Sequence, residues 1–414
     1  MSIKKIITGL VLSMLLASGV AIAADFDSAY STYQSGNYEA AFKEMLPLAE
    51  QGNIDAQWYI GLMYDDGKGV PEDDKIAVKW YTKVADKGDR WAQSVLGIMY
   101  DRGEGVPEND KTAVKWFTKA AEQGEAGSQN NLGFVYENGV GVSQNYKTSI
   151  KWYTLAAEQG IAEAQVSLGV MYMNGKGVPQ NNKTAVKWYT LSAEQGFAQG
   201  QSNLGNSYEH GYGVPQDYKT AVKWYTKAAD QGLAGAQSNL AFMYMNGKGV
   251  PQNNKNAVKW YAKAAEQGFV IAQLNLGHIY MNGTGVPQNN TNGAYWYTKA
   301  AEQGSELAQY NLGIMHRLGQ GVPHSDKTAV KWYTLAAKQG FANAQLKLGL
   351  AYVNGTGVLI NNRRAYMWWD ISARNGSVKA ANNINQLAKQ MTQADIFKAQ
   401  DMSSRCLESN YTDC

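Results

Sequence analysis

The sequence predicts an all-α protein, an α/α solenoid in which 36-residue helix-turn-helix units stack one after another. A tryptophan returns every 36 residues without insertion or deletion, at Trp80, Trp116, Trp152, Trp188, Trp224, Trp260, Trp296, Trp332 and Trp368. Each unit also carries a Gly-x-Gly turn and a polar residue suited to capping a helix. A fixed period of this length indicates a repeat array, in which each unit packs only against its neighbours. We therefore expect one continuous domain, although 414 residues exceed the usual size of one domain, because in a repeat array the length counts repeats.

Residues 1–23 have the pattern of a signal peptide. Lys4 and Lys5 form a charged start, an apolar stretch covers residues 6–22, and Ala21-Ile22-Ala23 is a small-residue cleavage site. An uncleaved membrane anchor is the alternative, but Thr8, Gly9, Ser13 and Gly19 interrupt a stretch that is already short for a spanning helix. We expect cleavage after Ala23, a periplasmic or secreted protein, and no membrane span after cleavage.

Residues 24–52 form a degenerate first unit that resembles a cap. Helices are predicted at 27–34 and 38–51, joined by the turn Ser35-Gly36-Asn37. Glu44 lies where the next unit has Trp80. A terminal unit has no neighbour on its outer side, so a polar residue fits that position.

Nine regular units follow over residues 53–376, each with a helix A and a helix B. In the first unit helix A places Ala56, Ile60, Met63 and Tyr64 on one helical face. Helix A is expected to end at Gly67, because glycine adopts the left-handed conformation that terminates helices. A proline follows the turn in seven of the nine units.

Helix B begins after a polar residue that can accept hydrogen bonds from the free amides of the first turn. The capping series is Asp73, Asn109, Asn145, Asn181, Asp217, Asn253, Asn289, Ser325 and Asn361. The predicted buried face in the first unit is Ala77, Trp80, Tyr81, Val84 and Ala85. This face is wide because helix B contacts the unit before it and the unit after it.

Residues 377–414 are predicted to form C-terminal capping helices. The repeat pattern decays after Gly376, and Thr392 can cap a last helix that ends near Leu407. Cys406 and Cys414 are the two cysteines of the chain. Export would make a disulfide between them permissible, so we predict one.

No catalytic constellation appears in the sequence, and we predict no catalytic residue, metal site or cofactor. The histidines His210, His278, His316 and His324 occupy four different places in the repeat, without carboxylates or cysteines at metal-ligand spacing. With 38 basic and 35 acidic residues and no concentrated basic patch, the chain is not expected to bind nucleic acid.

Two periodic features leave alternatives open. A glutamine occupies the same place in every helix A, from Gln57 to Gln345 at steps of 36, and suits either buried amides that bridge adjacent backbones or ligand binding. Lysines on helix B, such as Lys111, Lys115 and Lys119, suit either a solvated outer face or attraction to an anionic polymer or lipid.

The combined motif A-Q-x-x-L-G-x-x-Y-x-x-G-x-G-V-P followed by A-V-K-W-Y-x-x-A-A-E-Q-G resembles the Sel-one-like repeats, relatives of the tetratricopeptide repeats. The resemblance implies a right-handed superhelix whose A helices line a concave groove. It also implies an adaptor in protein–protein contacts, often in bacterial envelopes. Small departures are Ser143 and Leu359 at the turn proline, Ala241 at the helix A glycine, and His316 at the helix A tyrosine.

One branch of that family, the cysteine-rich proteins of Helicobacter, is associated with penicillin binding and has cysteine pairs within its repeats. Here Cys406 and Cys414 lie outside the repeats. We therefore predict a non-catalytic scaffold that binds a protein or peptide in the groove. A β-lactam-binding or hydrolysing enzyme, or a peptidoglycan-binding module, is the alternative.

If helix A lines the groove, the residues equivalent to Asp55, Trp58, Leu62 and Asp65 face inward, and their identities drift along the array. Units one to five give Asp55, Trp58, Asp65, Trp91, Asp101, Phe134, Glu137, Glu163 and Glu209. Units six to nine give Phe242, Met245, His278, Met281, Tyr310 and Arg317, without an acid. We predict that a partner's basic segment meets the acids and its apolar portion meets the later positions. A permissive solvent-facing surface is the alternative. The groove positions are expected to support no packing.

Overall fold

The computed structural model describes residues 20–414, and within that range it contains 22 α-helices and no β-strand. The helices of the first half are α1 (Val20–Gln34), α2 (Tyr38–Glu50), α3 (Ile54–Asp66), α4 (Asp74–Asp86), α5 (Arg90–Arg102), α6 (Asp110–Glu122), α7 (Ala126–Asn138), α8 (Tyr146–Glu158), α9 (Ala162–Asn174) and α10 (Asn182–Glu194). Those of the second half are α11 (Ala198–His210), α12 (Tyr218–Asp230), α13 (Ala234–Asn246), α14 (Asn254–Glu266), α15 (Val270–Asn282), α16 (Asn290–Glu302), α17 (Glu306–Leu318), α18 (Asp326–Ala337), α19 (Ala342–Asn354), α20 (Asn362–Arg374), α21 (Val378–Ala388) and α22 (Gln393–Glu408).

These helices confirm the predicted α/α solenoid. The odd-numbered helices α3 to α19 are the A helices and the even-numbered helices α4 to α20 are the B helices of repeats 1 to 9, which start at residue 53 and advance by 36. Helix A packs against its own helix B, as in α7 and α8, and helix B packs against the following helix A, as in α6 and α7. The chain divides into two compact units, 1–195 and 196–414, which are described separately.

The ends of the repeat helices are those that the sequence predicts. The whole capping series from Asp73 to Asn361 accepts hydrogen bonds from backbone amides; Asn109, for example, accepts from Thr112 N at 2.9 Å. Helix α3 ends at Gly67, which is left-handed with φ of 63°. The second turn glycine, Gly69, is required for a further reason, because a Cβ there would lie 2.5 Å from the carbonyl carbon of Tyr38 in the preceding unit.

The core follows the predicted faces of both helices. In repeat 1, Ala77, Trp80, Tyr81, Val84 and Ala85 are all buried. In repeat 2 Ala113, Phe117, Ala120 and Ala121 are buried on α6, but Trp116 is only half-buried, as is the repeat tryptophan of every further repeat up to Trp332. The core is therefore a row of small clusters, each formed where one helix B meets its neighbouring A helices.

The predicted amide bridge is confirmed at the glutamine that recurs in helix A. Gln129 donates through Nε2 to the Ala121 carbonyl at 3.1 Å and accepts through Oε1 from Gln159 at 2.7 Å, which ties α7 to α6 and to the end of α8. The same donation to the preceding repeat is made by Gln57, Gln93, Gln165, Gln237, Gln273, Gln309 and Gln345. We call this series the amide ladder. It fixes the spacing of consecutive repeats because each buried amide is fully hydrogen-bonded only when the preceding repeat and its own helix B are both in place.

The N-terminal cap differs from the prediction in its first helix. Helix α1 begins at Val20 and not at residue 27, because no glycine or proline interrupts the sequence from Val20 to Gln34. Residues 1–19 of the predicted signal peptide lie outside the described residues, and Ala23, the predicted cleavage position, lies within α1. Cleavage stays a prediction. Glu44, in the place of the repeat tryptophan, accepts a hydrogen bond from Thr32 Oγ1 at 3.1 Å on the exposed side.

The C-terminal cap is built as the sequence predicts. Thr392 caps α22, and α22 packs against α20. The structure contains the predicted disulfide between Cys406 and Cys414. Cys406 is fully buried in the cluster formed with α18, α19 and α20, so the disulfide ties the end of the chain to the last repeat.

Helix A also carries a glycine that lets the partner ring of helix B approach closely. A Cβ on Gly133 would overlap the ring of Tyr153, whereas a Cβ on Gly235, in α13, would meet nothing within 4 Å. Ala241, which replaces this glycine in repeat 6, is fully buried beside Tyr261, so that repeat has adapted to the larger residue.

We predict opposite effects for two Gly→Ala substitutions. Gly133→Ala should destabilise the protein by about 1–3 kcal/mol, because the buried ring of Tyr153 must move. Gly235→Ala is the matched control and should stabilise it by about 0.5–1 kcal/mol, because alanine is the better helix former and nothing obstructs it. Urea denaturation followed by circular dichroism measures both. Equal effects of the two substitutions would contradict the close approach at Gly133.

Candidate interaction surface on the A helices

The candidate surface consists of four positions on each helix A, equivalent to Asp55, Trp58, Leu62 and Asp65 of α3; we call it the A-helix face. Consecutive A helices contact each other within the first unit, as α5 does with α7 and α7 with α9. The four positions differ in how much this packing leaves accessible to a partner.

The positions equivalent to Asp55 and Leu62 are the most accessible. Asp55, Trp91 and Glu163 are exposed at the first of them, and Trp91 retains 42% of its surface with the Arg90 guanidinium 5.1 Å from its ring. At the second, the exposed residues are Phe134, Phe242 and His278. Phe134 is 55% exposed and Phe242 40% exposed. Large apolar side chains that face water on a regular helix are candidates for contact with a partner.

The position equivalent to Trp58 is part of the core in both units, which the sequence did not predict. Trp58 is half-buried with its ring 5.1 Å from that of Tyr81. Tyr310 is likewise half-buried, 5.2 Å from the ring of Phe341. Serines at this position, such as Ser94 and Ser238, are buried. The reason is that this side of helix A faces its own helix B and the start of the next helix A.

The acids equivalent to Asp65 pair with the tyrosine of their own helix B. Tyr81 donates to Asp65 at 3.3 Å, Tyr153 donates to Glu137 at 3.2 Å, and Tyr225 donates to Glu209 at 2.8 Å. Glu209 is only 8% exposed, and Glu137 also pairs with Lys176 at 3.6 Å. The expectation that these positions support no packing is therefore wrong for Asp65, Glu137 and Glu209.

Repeat 2 breaks this pairing. Phe117 occupies the place of the tyrosine and has no hydroxyl group, and Asp101 is exposed. The neighbouring cation Arg102 pairs instead with Glu104 at 3.6 Å. Partial burial, followed by the negative charge of Asp110, raises the pKa of Asp101.

A pocket of about 120 Å³ lies in repeat 2, where the acid–tyrosine hydrogen bond is missing. Phe117 and Val135 belong to the neighbouring core cluster, and Asp101, Arg102, Asn131, Phe134 and Ile98 complete the lining. Two residues that the sequence predicted separately, Asp101 on α5 and Phe134 on α7, therefore meet in one site. Phe117 was missed, although its departure from the tyrosine of the repeat was a visible signal.

In the second unit the A-helix face changes from apolar to basic. Met245 and Met281 are half-buried at the position equivalent to Asp65. Arg317, at the same position of α17, is exposed. Burial, followed by the positive charges of Arg317 and Lys379, lowers the pKa of Lys347. Both cations thus act electrostatically on Lys347, and we call Arg317, Lys347 and Lys379 the basic corner; the sequence predicted only Arg317.

The described residues contain no group of three or more His, Cys, Asp or Glu side chains placed to hold a metal ion. Within the same range, none of the helices combines the length and apolarity needed to cross a lipid bilayer.

Comparison with known proteins supports the assignment of the repeats. The family model described as Sel1 repeat matches nine segments, at residues 54–89, 92–125, 126–161, 162–197, 198–233, 234–269, 270–305, 307–341 and 342–377. The predicted resemblance to the Sel-one-like repeats is therefore confirmed. Proteins with these repeats generally mediate protein–protein interaction.

Two solved structures are similar over much of their length. One is c5321, a protective antigen of uropathogenic Escherichia coli strains that displays an SLR fold; it is 33% identical, the match covers 94% of this chain and 93% of that chain, and the TM-score is 0.63. The other is a Sel1 repeat protein from Oxalobacter formigenes, which is 34% identical over 59% of this chain and 96% of that chain, with a TM-score of 0.55. Among curated proteins, none matches this chain.

The pairing of Asp65 with Tyr81 leads to a pH-dependent prediction. Burial, followed by the negative charge of Asp66, raises the pKa of Asp65 from 3.8 to about 6. The hydrogen bond from Tyr81 lowers this pKa, but its effect is smaller. Because the folded state holds this proton more tightly than the unfolded state, the contribution of Asp65 to stability is lost as the pH rises through about 6.

Asp65→Asn should remove that loss, so the free energy of unfolding of the variant should rise by about 1 kcal/mol relative to the wild type between pH 3.8 and about pH 6. The difference is small because the carboxyl group is partly solvated. Urea denaturation midpoints measured below and above this pH range test it. Asp86→Asn, an exposed acid of the same repeat, is the control and should leave the pH profile unchanged. Parallel profiles for Asp65→Asn and the wild type would contradict the raised pKa.

Proposed function

The chain belongs to the Sel1 repeat family, and from that premise we propose that it is a non-catalytic scaffold that binds a protein or peptide partner on its A-helix face. The observation that carries the proposal is the pocket in which Asp101 meets Phe134. No observation in the described residues favours the alternative of a β-lactam-binding or hydrolysing enzyme.

The acid–tyrosine pairs indicate what this pocket lacks. In repeats 1, 3 and 5 a tyrosine hydroxyl reaches the acid of helix A from the core side. In repeat 2 Phe117 has no hydroxyl group, and Phe117 and Asp101 line the same open pocket. A hydrogen-bond donor from a partner can therefore take the role that the tyrosine has elsewhere.

A lysine of the partner fits the chemistry of this pocket. Its aliphatic stem would lie along the exposed ring of Phe134 and against Ile98, since long cationic side chains bury their methylene groups on apolar surface. Its ammonium group would then reach the carboxylate of Asp101, a charge-assisted hydrogen bond stronger than a neutral one. Burial of Phe134 supplies most of the affinity, because apolar area removed from water contributes roughly 25 cal/mol per Å².

In the second unit, the exposed Phe242 and the half-buried Met245 and Met281 offer an apolar contact of the kind that adapts to irregular shapes. The basic corner of Arg317, Lys347 and Lys379 suits an acidic group of the partner. We propose a partner segment with lysine near its contact with the first unit and apolar and acidic residues near its contact with the second.

We further propose that the protein acts in the periplasm or outside the cell. The predicted signal peptide at residues 1–23 supports export, and the disulfide between Cys406 and Cys414 suits an oxidising compartment. Contact with peptidoglycan remains compatible with this location, and the test below separates it from protein binding.

Phe117→Tyr tests the proposal, because it gives repeat 2 the residue that the neighbouring repeats have. The new hydroxyl should occupy the pocket and bind Asp101, which should weaken partner binding about tenfold while the fold is kept. A photo-crosslinking residue at position 134 in the exported protein should capture one protein, and capture should fall in the Phe117→Tyr variant. The affinity of the captured protein for both variants is then measured by calorimetry.

A crosslinking residue at Lys115, exposed on helix B of the same repeat, is the positional control. Capture from position 115 but not from position 134, or capture of glycan strands alone, would contradict binding of a protein on the A-helix face.

A further inference from the structure

Repeat 7 departs from the other repeats on the outer side of helix B. Seven of the other eight repeats have a lysine directly before the repeat tryptophan, at Lys79, Lys115, Lys151, Lys187, Lys223, Lys259 and Lys331, and repeat 9 has the buried Met367 there. Repeat 7 has Tyr295 in that place, and this ring is 53% exposed. The change puts a second aromatic ring beside Trp296.

The other repeats show what the outer surface of this tryptophan attracts. In four of them the lysine three residues after the tryptophan lies over its ring: Lys83 over Trp80 at 3.7 Å, Lys119 over Trp116 at 4.1 Å, Lys227 over Trp224 at 4.4 Å and Lys263 over Trp260 at 4.3 Å. The tryptophan therefore serves as a cation-binding surface that the protein itself occupies.

In repeat 7 the corresponding lysine, Lys299, makes different contacts. Lys299 lies 5.9 Å from the ring of Tyr295 and pairs with Glu302 at 3.9 Å. Tyr295 stands edge-on to Trp296, with ring centroids 4.9 Å apart and planes at 77°. An open cleft of about 540 Å³ lies beside these rings, lined also by Glu266 from the end of α14 and by Gln303.

The charge of this cleft favours a cation. Glu266 and Glu302 contribute two carboxylates to its lining, and Lys299 contributes one ammonium group, so one negative charge is left in excess. All three side chains are exposed.

We propose that this cleft binds the guanidinium group of an arginine side chain from a protein partner. A guanidinium is planar, so it can stack on Trp296 or Tyr295, and its fork of donors can bind a carboxylate of Glu266 or Glu302 with two hydrogen bonds. It is also more weakly hydrated than an ammonium group, which favours arginine over lysine on an aromatic surface. The site lies on helix B, and the proposal is independent of binding on the A-helix face.

The test titrates the full-length protein with the peptide acetyl-Gly-Arg-Gly-amide and follows the indole N–H resonances of the tryptophans by NMR. The Trp296 resonance is assigned by its absence from Trp296→Phe. We expect saturable shifts at Trp296, roughly tenfold weaker binding in Tyr295→Lys, which introduces the residue that seven other repeats have, and weaker binding in Glu302→Gln.

Three controls make the result specific. Tyr295→Phe keeps the ring and should bind as the wild type does, and Phe117→Tyr, which alters the A-helix face, should not change arginine binding. The corresponding lysine peptide should bind more weakly. The proposal is overturned if Trp296 does not respond to the arginine peptide, if Tyr295→Lys, folded by circular dichroism, binds with unchanged affinity, or if N-acetylglucosamine oligomers shift Trp296 while the arginine peptide does not.

Discussion

A buried amide that must find partners in two neighbouring helices is the constraint on which the structure depends. Gln129 and Gln165 each donate to a carbonyl of the preceding repeat and accept from the glutamine that ends their own helix B. A buried polar group without a hydrogen bond costs about 1–3 kcal/mol, so a shift between repeats that broke the donated bond would be penalised at each junction. The amide ladder thereby fixes the register of consecutive repeats. Apolar contacts alone are less directional and would tolerate small shifts between repeats.

Because the ladder and the capped helices hold the repeats, other positions are free to vary. The acid–tyrosine pair of repeat 3, formed by Glu137 and Tyr153, is absent from repeat 2, where Asp101 faces Phe117, and the fold is kept. In the same way Tyr295 replaces a lysine without disturbing helix α16. The two proposed sites both lie where one repeat departs from a pattern that its neighbours keep, and in each case the neighbours show which chemical group is missing.

The sequence predicted the fold almost completely, because the features that determine it are local and repeated. The period of the tryptophan, the polar caps and the left-handed glycines each act within a few residues, and each occurs nine times. The start of α1 was wrong because nothing in the local sequence between Val20 and residue 27 stops a helix. The family model and the two similar solved structures agree with this assignment.

The candidate surface was predicted less well, because exposure on helix A depends on the neighbouring helices. Trp58 and Tyr310 occupy a position that looks outward on an isolated helix, but the rings of Tyr81 and Phe341 cover them. Glu209 is buried because Tyr225 reaches it from helix B. The pocket at Phe117 and the cleft at Tyr295 exist because the side chains around them leave space unfilled. The spacing of residues along the sequence does not show where such spaces lie.

The measurement that tests the central constraint most directly is the stability of Gln129→Leu against that of Gln199→Leu. Both substitutions replace glutamine by leucine in a helix A, but Gln129 is buried in the amide ladder and Gln199 is exposed. Loss of both bonds of Gln129 should reduce the free energy of unfolding by about 1–3 kcal/mol, while Gln199→Leu should change it by less than about 0.5 kcal/mol. Equal stability of the two variants in urea denaturation would contradict the role of the ladder.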